Sequence, residues 1–420
     1  MQRRDFLKST AFVSINLSAA PLLGGIFDDK NESWKGKKIL FLGDSITQAG
    51  SYINFMESAL LAATGNISAQ LLNLGLASET ISGLSEAAHP FPRPFLHDRL
   101  EKVLAYTQPD IIFACYGINC GIYHPFDQSL FRQYQQGIDK LMKAAERQKA
   151  ELILMTPPPY AAPVSNYDTA RKDKGRGDYS FMRPYLAYDD VMKKYGEWIM
   201  SLGNKVKVID LHSPMSLLQS VCYDEDYIHP NEYGHQLMAQ TILHTLDWLD
   251  IQENNRIRME GAIPEITDAL SSTIALNLPN VPYRKYTKAE VYNNLIAFPE
   301  ITLVIKNCPS GVFQLMDQHQ VVGQYTGESL RNGITFSTAT MGDSLQKLAP
   351  WHNASQIYGL VAARRKLYDY SLLQHIGHQR PMSQEGLPLN IAEQKKQDID
   401  EKIRRKMTEK KWLLELIKVG

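Results

Sequence analysis

Residues of three types that together support acyl transfer stand next to apolar segments of the chain. Ser45 follows the apolar run of KKILFLGDSITQAG (residues 37–50), and Asp226 and His229 lie within DYIHP (residues 226–230). Acyl transfer at neutral pH needs a nucleophile, a base and a group that orients the base. A serine, a histidine and an aspartate could fill these roles. The alternative for Ser45 is a turn that caps a helix, since Gly, Asp and Ser favour such turns.

Negative charge develops on the carbonyl oxygen during acyl transfer, and hydrogen-bond donors must stabilise it. Three donors are available in the sequence: the backbone N–H of Ser45, a backbone N–H within NLGLASET (residues 73–80), and the side-chain amide of Asn119 in YGINCG (residues 116–121). Each of these segments follows an apolar run, as does the segment that contains His229. The donors and the base could therefore share one site.

Short apolar runs alternate with helical patterns from residue 37 to about residue 250. Five of these runs predict strands: KKILFLG, SAQLLNLGL, PDIIFACYG, AELILMTPPPY and VKVIDLH. Continuous apolar runs are typical of a parallel sheet whose two faces are both covered by helices. Because loops at the carboxyl ends of parallel strands converge at one edge of the sheet, we expect the candidate residues to meet there.

Four segments, FLGDSIT, NLGLASET, GIN and DYIHP, occur in this order and resemble the four sequence blocks of SGNH hydrolases, also called GDSL esterases. The resemblance implies a flavodoxin-like three-layer α/β/α sandwich with a five-stranded parallel sheet. It also implies that Ser45 is the nucleophile, His229 the base, Asp226 its orienter and Asn119 an oxyanion donor. Neither a cofactor nor a metal is expected for this chemistry.

Two positions depart from the usual pattern of the family. Ser78 stands where the family usually has a glycine that donates to the oxyanion. Because that donor is a backbone N–H, we expect Ser78 to supply it, with Gly75 as the alternative. Cys120 follows Asn119 where the family usually has an aspartate that supports the loop, so we expect Asn119 to be held less firmly.

Other residues of the same loops are candidates for contacts with a substrate. Arg93, in the proline-rich HPFPRP (residues 89–94), could hold an anionic group such as a uronate, or it could lie at the surface. Tyr123 and Tyr160 are candidate walls of a binding pocket, and Gly75 could line the same pocket.

The chain divides into four segments. Residues 1–25 are predicted to be an export signal, and residues 34–252 an SGNH hydrolase domain. Residues 265–342 hold short β-rich runs separated by turns, which predict a small antiparallel β unit. Residues 343–420 are predicted to form a helical tail that includes the charged end EKIRRKMTEKKWLLELIKVG. The wider sequence resembles a bacterial subgroup of the family that carries these two C-terminal additions.

The N-terminal segment has the features of a cleavable export signal. RRDFLK contains Arg3 and Arg4 and resembles the twin-arginine signal. A short apolar stretch and small residues follow, and the stretch is too short to span a bilayer. We therefore expect a bacterial protein exported to the periplasm or the medium, without stable membrane insertion after the signal is removed.

The overall composition excludes some classes of partner. Lys and Arg together number 45, and Asp and Glu together also number 45, so there is no global basic field and nucleic acid is not expected as a partner. The four cysteines show no paired metal-binding spacing and do not suggest a disulfide framework.

These features predict a secreted serine esterase that acts on a small-molecule or polysaccharide ester and removes a small acyl group, expected to be acetyl, from a carbohydrate. The carbohydrate part of this prediction rests on the habits of the family, the export signal and the β unit, not on a particular residue. Two alternatives stay open. One is a lipid or thioester hydrolase of the same fold, and the other is a glycan-binding module with weakened catalysis, which Cys120 keeps open.

Overall fold

The computed structural model describes residues 33–161, 179–249, 256–263, 271–285, 296, 298–318, 320–377, 380–381, 385–408 and 411–419. The predicted export signal, residues 1–25, lies outside the described residues. The described residues fold into one unit, and none of their helices is both long and apolar enough to cross a membrane.

A five-stranded parallel sheet forms the centre of the N-terminal part, with the strand order β2-β1-β3-β4-β5. The strands are β1 (Lys38–Gly43), β2 (Gln70–Asn73), β3 (Ile111–Cys115), β4 (Glu151–Met155) and β5 (Lys207–Ile209). Every residue of β3 is buried, and burial of both faces of a strand requires cover on both sides of the sheet. The predicted flavodoxin-like α/β/α fold is thereby confirmed.

In the part of the chain that the structure describes, eight helices connect these strands or follow them. They are α1 (Ser45–Ala49), α2 (Ser51–Thr64), α3 (Leu96–Thr107), α4 (Gln128–Gln148), α5 (Tyr188–Ser201), α6 (His212–Ser216), α7 (Gln219–Cys222) and α8 (Glu232–Thr245). The longest of them, α4, illustrates why they form. The Asp127 side chain accepts the N–H groups of Ser129 and Leu130 as an N-cap, and Tyr134, Ile138 and Leu141 bury one face at helical spacing.

The C-terminal part adds two small sheets and two long helices. Its elements are β6 (Arg256–Gly261), β7 (Ser271–Asn277), β8 (Glu300–Ile305), β9 (Val312–Asp317), β10 (Gln320–Thr326), α9 (Gly327–Asn332), β11 (Ile334–Phe336), α10 (Thr338–Met341), α11 (Ala349–His375), α12 (Leu389–Thr408) and β12 (Lys411–Lys418). One sheet has the order β10-β9-β12-β7 and is antiparallel, and the other has the order β11-β8-β6. Residues of both sheets share one apolar core.

Two details of this region differ from the prediction. In the second sheet β6 pairs with β8 in parallel, so the β unit is not purely antiparallel, and β6 begins before residue 265. The last residues form the strand β12 rather than a helix. KWLLELIK alternates in burial, with Trp412, Leu414 and Leu416 inside, and it pairs with β7 and β9. Period-two burial is the pattern of a strand, so the tail completes the β unit.

The helix α11 joins the C-terminal part to the hydrolase sheet. It has 27 residues and packs against α2, α12 and β2, which is the edge strand of the sheet. Tyr368, Leu372 and Leu373 of α11 belong to the same apolar core as the five strands. The tail is therefore part of the hydrolase core and not an independent appendage.

Candidate active site

The predicted nucleophile, Ser45, is the first residue of α1 and follows β1 after a single intervening residue. That residue, Asp44, is the N-cap, and its Oδ1 accepts the N–H of Ile46 at 3.0 Å. Gly43 ends the strand, and a Cβ at this position would lie only 2.8 Å from the carbonyl oxygen of Cys115. This tight change from strand to helix holds Ser45 at the carboxyl edge of the sheet.

Ser45, His229 and Asp226 form one hydrogen-bonded line. Ser45 Oγ is 2.7 Å from His229 Nε2, and His229 Nδ1 is 2.6 Å from Asp226 Oδ2. When Nδ1–H donates to the carboxylate, Nε2 is left to accept the hydroxyl proton of Ser45. The structure thus brings together the three residues that the sequence analysis selected as nucleophile, base and orienter.

A tight turn keeps Asp226 beside His229. Asp226 Oδ1 accepts the N–H groups of Ile228 at 3.0 Å and His229 at 3.2 Å, and Tyr227 between them has a φ of 60°. Partial burial raises the pKa of Asp226, but the hydrogen bond and charge of His229, together with the two backbone donors, bring that pKa below its ordinary value. Asp226 is therefore ionised at neutral pH and can stabilise an imidazolium on His229.

The segment after β2 runs along the end of β1 and carries Ser78, the predicted backbone donor. The N–H of Leu76 donates to the carbonyl oxygen of Gly43 at 2.9 Å, which keeps this segment beside Ser45. Ser78 has a φ of 67°, in the left-handed region that favours glycine. This backbone conformation explains why the family has glycine here. Within the described part of the chain, no group accepts the Ser78 N–H, so it is available to a substrate.

The predicted side-chain donor, Asn119, is held from two sides. Its Oδ1 accepts the hydroxyl of Tyr123 at 3.0 Å, and its Nδ2 donates to the carbonyl oxygen of Glu79 at 3.3 Å. The carbonyl oxygen of Glu79 can only accept, so it fixes which end of the amide carries the N–H groups, and the Tyr123 hydroxyl then donates to the other end. Asn119 is almost fully buried and lies against the segment that contains Ser78, so the two predicted donors are neighbours.

Cys120 takes over part of the support that an aspartate gives this loop in the family. Its side chain is fully buried, and its Sγ accepts the N–H of Ile81 at 3.4 Å, while its carbonyl oxygen accepts the hydroxyl of Ser82 at 3.3 Å. Burial raises the pKa of the Cys120 thiol to about 12, so it is a neutral space-filling group. The expected loosening of Asn119 is offset by Tyr123, whose role the sequence did not reveal.

A buried ionic network that the sequence analysis missed supports the segment after β2. Arg99 Nε and Nη2 bind the two carboxylate oxygens of Glu79 at 2.6 Å and 2.7 Å, and Nη2 also donates to the carbonyl oxygen of Leu74 at 2.7 Å. The hydroxyl of Tyr116 donates to Glu79 at 2.6 Å. Glu79 is adjacent to Ser78, so this network fixes the backbone next to the predicted donor. No spacing in the sequence signals it, because its members come from three distant elements.

Arg93 has a different position from the one expected for a residue that holds an anionic substrate. Its Nε and Nη2 bind both carboxylate oxygens of Glu86 at 2.6 Å and 2.7 Å, and only 2% of the Arg93 side chain is exposed. Its Nη1 donates to the carbonyl oxygen of Ser78 at 3.2 Å, and its guanidinium lies 5.6 Å from the centre of the Tyr123 ring. Because Glu86 already neutralises its charge, Arg93 supports the donor segment instead.

The remaining predicted contacts are also packed into the protein. The N–H of Gly75 donates to Asn73 Oδ1 at 3.0 Å, so it is not free to serve as the alternative oxyanion donor. A Cβ on Gly75 would lie 2.6 Å from the backbone nitrogen of Gln48, which shows that close packing against α1 requires glycine. Tyr123 and Tyr160 are both buried around Tyr188, with Tyr123 stacked on it at 5.0 Å. Gly75 is therefore a packing residue, and the two tyrosines form a wall behind Asn119.

The carboxyl group of Asp44, the residue before the predicted nucleophile Ser45, is buried. Burial raises the pKa of Asp44 from its ordinary value to about 6, although the hydrogen bond from the Ile46 N–H acts in the opposite direction. The unfolded chain releases this proton near pH 4, before the folded protein does. Stability therefore falls as the pH rises from about 4 through about 6, and it stays lower by about 3 kcal/mol above that range.

We expect Asp44→Asn to stabilise the protein at pH 7 but not at pH 4. Asparagine keeps the N-cap hydrogen bond to Ile46 and has no charge to bury. The difference in melting temperature, variant minus wild type, should be larger at pH 7 than at pH 4. Asp127→Asn is the matched control, because Asp127 is an exposed N-cap whose pKa is lowered by its backbone hydrogen bonds, so its ionised form is stabilising. A difference in melting temperature that is independent of pH for Asp44→Asn would contradict the burial argument.

Among the described residues, no group of three or more His, Cys, Asp and Glu side chains could hold a metal ion. The arrangement as it stands can carry out acyl transfer with its own side chains. It offers a hydroxyl next to an imidazole acceptor, a carboxylate on the other imidazole nitrogen, and N–H groups from Ser78 and Asn119 nearby. These are the parts that nucleophilic catalysis with an oxyanion hole requires.

The chain is similar to known proteins in sequence and in fold. Residues 41–237 match the GDSL-like lipase/acylhydrolase family, whereas no curated protein matches the chain. BT4096, a gut microbial diltiazem-metabolizing enzyme, has a similar fold, with 17% identity, a TM-score of 0.64, and coverage of 92% of this chain and 98% of that chain. Axe2, an acetylxylan esterase from Geobacillus stearothermophilus, has 19% identity and a TM-score of 0.39 over 51% of this chain and 96% of that chain. Residues 41–237 therefore match the GDSL-like lipase/acylhydrolase family, and this match supports a carboxylic ester hydrolase.

Proposed function

We propose that the protein is an exported serine esterase that removes a small acyl group, acetyl in the simplest case, from a carbohydrate. The observation that carries the esterase part is the line from Ser45 Oγ to His229 Nε2 at 2.7 Å and from His229 Nδ1 to Asp226 Oδ2 at 2.6 Å. The export part rests on the sequence of residues 1–25, which contains RRDFLK.

In the proposed first half-reaction, Ser45 Oγ attacks the ester carbonyl carbon while its proton moves to His229 Nε2. Asp226 stabilises the resulting imidazolium through Nδ1–H. The carbonyl oxygen becomes an oxyanion that accepts hydrogen bonds from the backbone N–H groups of Ser45 and Ser78 and from Asn119 Nδ2. When this intermediate collapses, the bond to the alcohol oxygen breaks, His229 returns the proton to that oxygen, and the acyl group stays on Ser45.

In the second half-reaction, water takes the place of the alcohol. His229 Nε2 accepts a proton as the water oxygen attacks the acyl carbon, and the same three donors bind the oxyanion. Collapse of this second intermediate breaks the bond to Ser45 Oγ and returns the proton to it. The products are a free carboxylic acid and the regenerated enzyme, and no other reactant is required.

The exposure of the base supports a bulky alcohol and a small acyl group. The His229 side chain is 44% exposed and that of Asp226 is 50% exposed, so a polymer can approach the ester carbonyl from solvent. The other side of the site is closed by buried side chains, including Tyr123 and Tyr160. A long acyl chain would need an apolar channel to leave water, whereas an acetyl group needs little space.

We expect the enzyme to prefer acetyl esters to long-chain esters by at least about a hundredfold in kcat/KM. The reason is that a long acyl chain would have to enter the side of the site closed by buried side chains, which would displace its carbonyl from the proposed donors. The test compares p-nitrophenyl acetate with p-nitrophenyl palmitate, and then measures acetate release from a panel of acetylated polysaccharides. A preference for the palmitate ester would favour the lipid hydrolase alternative. Absence of turnover on every ester, with the fold intact, would favour the glycan-binding module.

A further inference from the structure

Arg365, in the middle of α11, is buried against the open edge of the hydrolase sheet. Its Nη1 donates to the carbonyl oxygen of Leu71 in β2 at 3.2 Å, at the edge where a further strand would otherwise bind. Its Nε donates to Asn54 Oδ1 at 2.7 Å, and its Nη2 forms an ion pair with Glu57, both in α2. One side chain of the tail therefore ties β2 to α2.

Asp369, one turn further along α11, faces the next outward-pointing group of the same edge. Its Oδ2 lies 3.7 Å from Arg365 Nη1. Burial raises the pKa of Asp369, whereas the charge of Arg365 and the backbone N–H of Asn73 act in the opposite direction. Only 6% of Asp369 is exposed. The helix thus presents a donor to Leu71 and an acceptor to Asn73, as a neighbouring strand would do.

Asn73 connects this edge to the active site through its side chain. Its Nδ2 donates to the carbonyl oxygen of Thr47 at 2.6 Å, and its Oδ1 accepts the N–H of Gly75 at 3.0 Å. Thr47 lies in α1, the helix that begins with Ser45, and Gly75 opens the segment that carries Ser78. One asparagine therefore holds both the nucleophile helix and the segment of the backbone donor.

The stem of Arg365 also lies near Gly50, the residue after α1. Gly50 joins α1 to α2 with a φ of 71°, and a Cβ there would lie 3.4 Å from Arg365 Cδ and 2.6 Å from Asn73 Nδ2. Asn73 and Arg365 thus both lie beside Gly50, where no side chain would fit. A shift of Arg365 and β2 would be transmitted to α1 through the hydrogen bond from Asn73 Nδ2 to the carbonyl oxygen of Thr47.

We propose that Arg365 and Asp369 are positioning residues for the ester hydrolysis assigned above to Ser45. By holding the edge of β2, they set the place of Asn73 and, through it, the distance between the Ser45 hydroxyl and the Ser78 N–H. The inference rests on the proposed function of that site. It gives the C-terminal helix a part in the reaction itself, in addition to its contribution to the core.

The expected signature is a loss in kcat without a matching change in KM. Displacement of reacting groups by about 1 Å lowers the rate by roughly a hundredfold, whereas the ground-state contacts of the substrate change little. We expect Arg365→Met, which keeps the apolar stem and removes the donors, to lower kcat by roughly tenfold to a hundredfold. KM should change by less than about threefold.

Arg364 offers a matched control on the same helix. It is as buried as Arg365 and also pairs with Glu57, but its other partner is Asp400 of α12, and it makes no hydrogen bond to β2. Arg364→Met should therefore lower the melting temperature to a similar extent and leave kcat close to that of the wild type. A comparable loss of kcat in Arg364→Met would assign the effect to general destabilisation and overturn the proposal.

Variants of Asp369 keep the proposal testable if Arg365→Met does not fold. Asp369 Oδ2 lies 3.7 Å from Arg365 Nη1, but Arg365 keeps its ion pair with Glu57 when Asp369 is replaced, so the fold should tolerate the change. Asp369→Ala should lower kcat at least about fivefold, whereas Asp369→Asn, whose amide oxygen can accept the Asn73 N–H, should restore most of it. If Asp369→Ala and Asp369→Asn are both fully active, and Arg365→Met is either fully active or unfolded, the positioning role is overturned.

The active-site serine separates this proposal from the proposed function. If Ser45→Ala keeps its esterase activity, the assignment of the site is wrong, and the positioning role is overturned with it. If Ser45→Ala is inactive while Arg365→Met and Asp369→Ala retain full kcat, only the positioning role is overturned. Initial rates on p-nitrophenyl acetate, measured well below each melting temperature, supply all of these comparisons.

Discussion

Replacement of Ser45 by alanine is expected to lower kcat for ester hydrolysis by roughly four to six orders of magnitude, the usual effect of losing the nucleophile of such a site. The hydroxyl lies 2.7 Å from His229 Nε2, and no other group in the line can form the acyl-enzyme. The fold should survive, because Ser45 is only half-buried and its hydroxyl contacts the exposed His229. Steady-state rates and thermal melting of the same preparation measure both quantities.

A second serine provides the matched control for this prediction. Ser216 Oγ is 3.2 Å from His212 Nδ1, and His212 Nε2 is 3.2 Å from Asp189 Oδ1, so these three residues mimic the proposed site. The Ser216 hydroxyl, however, donates to the carbonyl oxygen of His212 at 2.8 Å within α6. We expect Ser216→Ala to keep full activity. An inactive Ser216→Ala beside an active Ser45→Ala would move the nucleophile to α6.

Local patterns explain which parts of the molecule the sequence could predict. The five strands of the main sheet are continuous apolar runs, so their parallel arrangement follows from burial alone. Asp226 and His229 are three residues apart in one turn, and Ser45 follows the first strand after one residue. Their meeting at one edge is a property of all parallel sheets with this topology.

Contacts between distant parts of the chain explain what the sequence could not predict. Arginine is a residue type that often binds anionic substrates, but the position of Glu86 decides the role of Arg93. Both side chains are buried in one loop. The sequence of β12 follows a charged helix, which predicts that the helix continues. The alternating apolar residues of β12 become buried only because the strand pairs with β7 and β9. Arg365 lies about 300 residues from Leu71, and no local spacing connects the two.

Contacts with distant residues also allow Ser78 to occupy a glycine position. A φ of 67° disfavours serine by about 1 kcal/mol relative to glycine, and this is a small fraction of the stability of a folded domain. Gln48 Oε1 accepts the N–H of Ala77, the Arg93 guanidinium binds the carbonyl oxygen of Ser78, and the Glu79–Arg99 ion pair holds the next residue. The surrounding network can therefore impose a conformation that serine alone would avoid.

Replacement of Asn119 by alanine is expected to lower kcat by about a hundredfold to a thousandfold with little change in KM. One oxyanion donor usually contributes this much, because the hydrogen bond strengthens as negative charge develops on the oxygen. Tyr123→Phe is the matched control, since it removes the hydroxyl that binds Asn119 Oδ1 at 3.0 Å and leaves the amide in place. We expect it to reduce kcat by no more than about tenfold. Equal losses in the two variants would assign the effect to packing of the loop instead of to the donor.

Variants at Ser78 decide whether the second donor is a backbone N–H, as we propose. Ser78→Gly and Ser78→Ala both keep the N–H and both lose the hydroxyl, so both should retain kcat within about threefold if the backbone is the donor. Glycine should also adopt the φ of 67° more readily than serine, and the melting temperature of Ser78→Gly should not fall. Proline is unsuitable for this test, because its fixed φ near −65° would displace the segment as well as remove the N–H. If both variants lose as much kcat as Asn119→Ala while remaining folded, the hydroxyl of Ser78 is the donor and the backbone assignment is wrong.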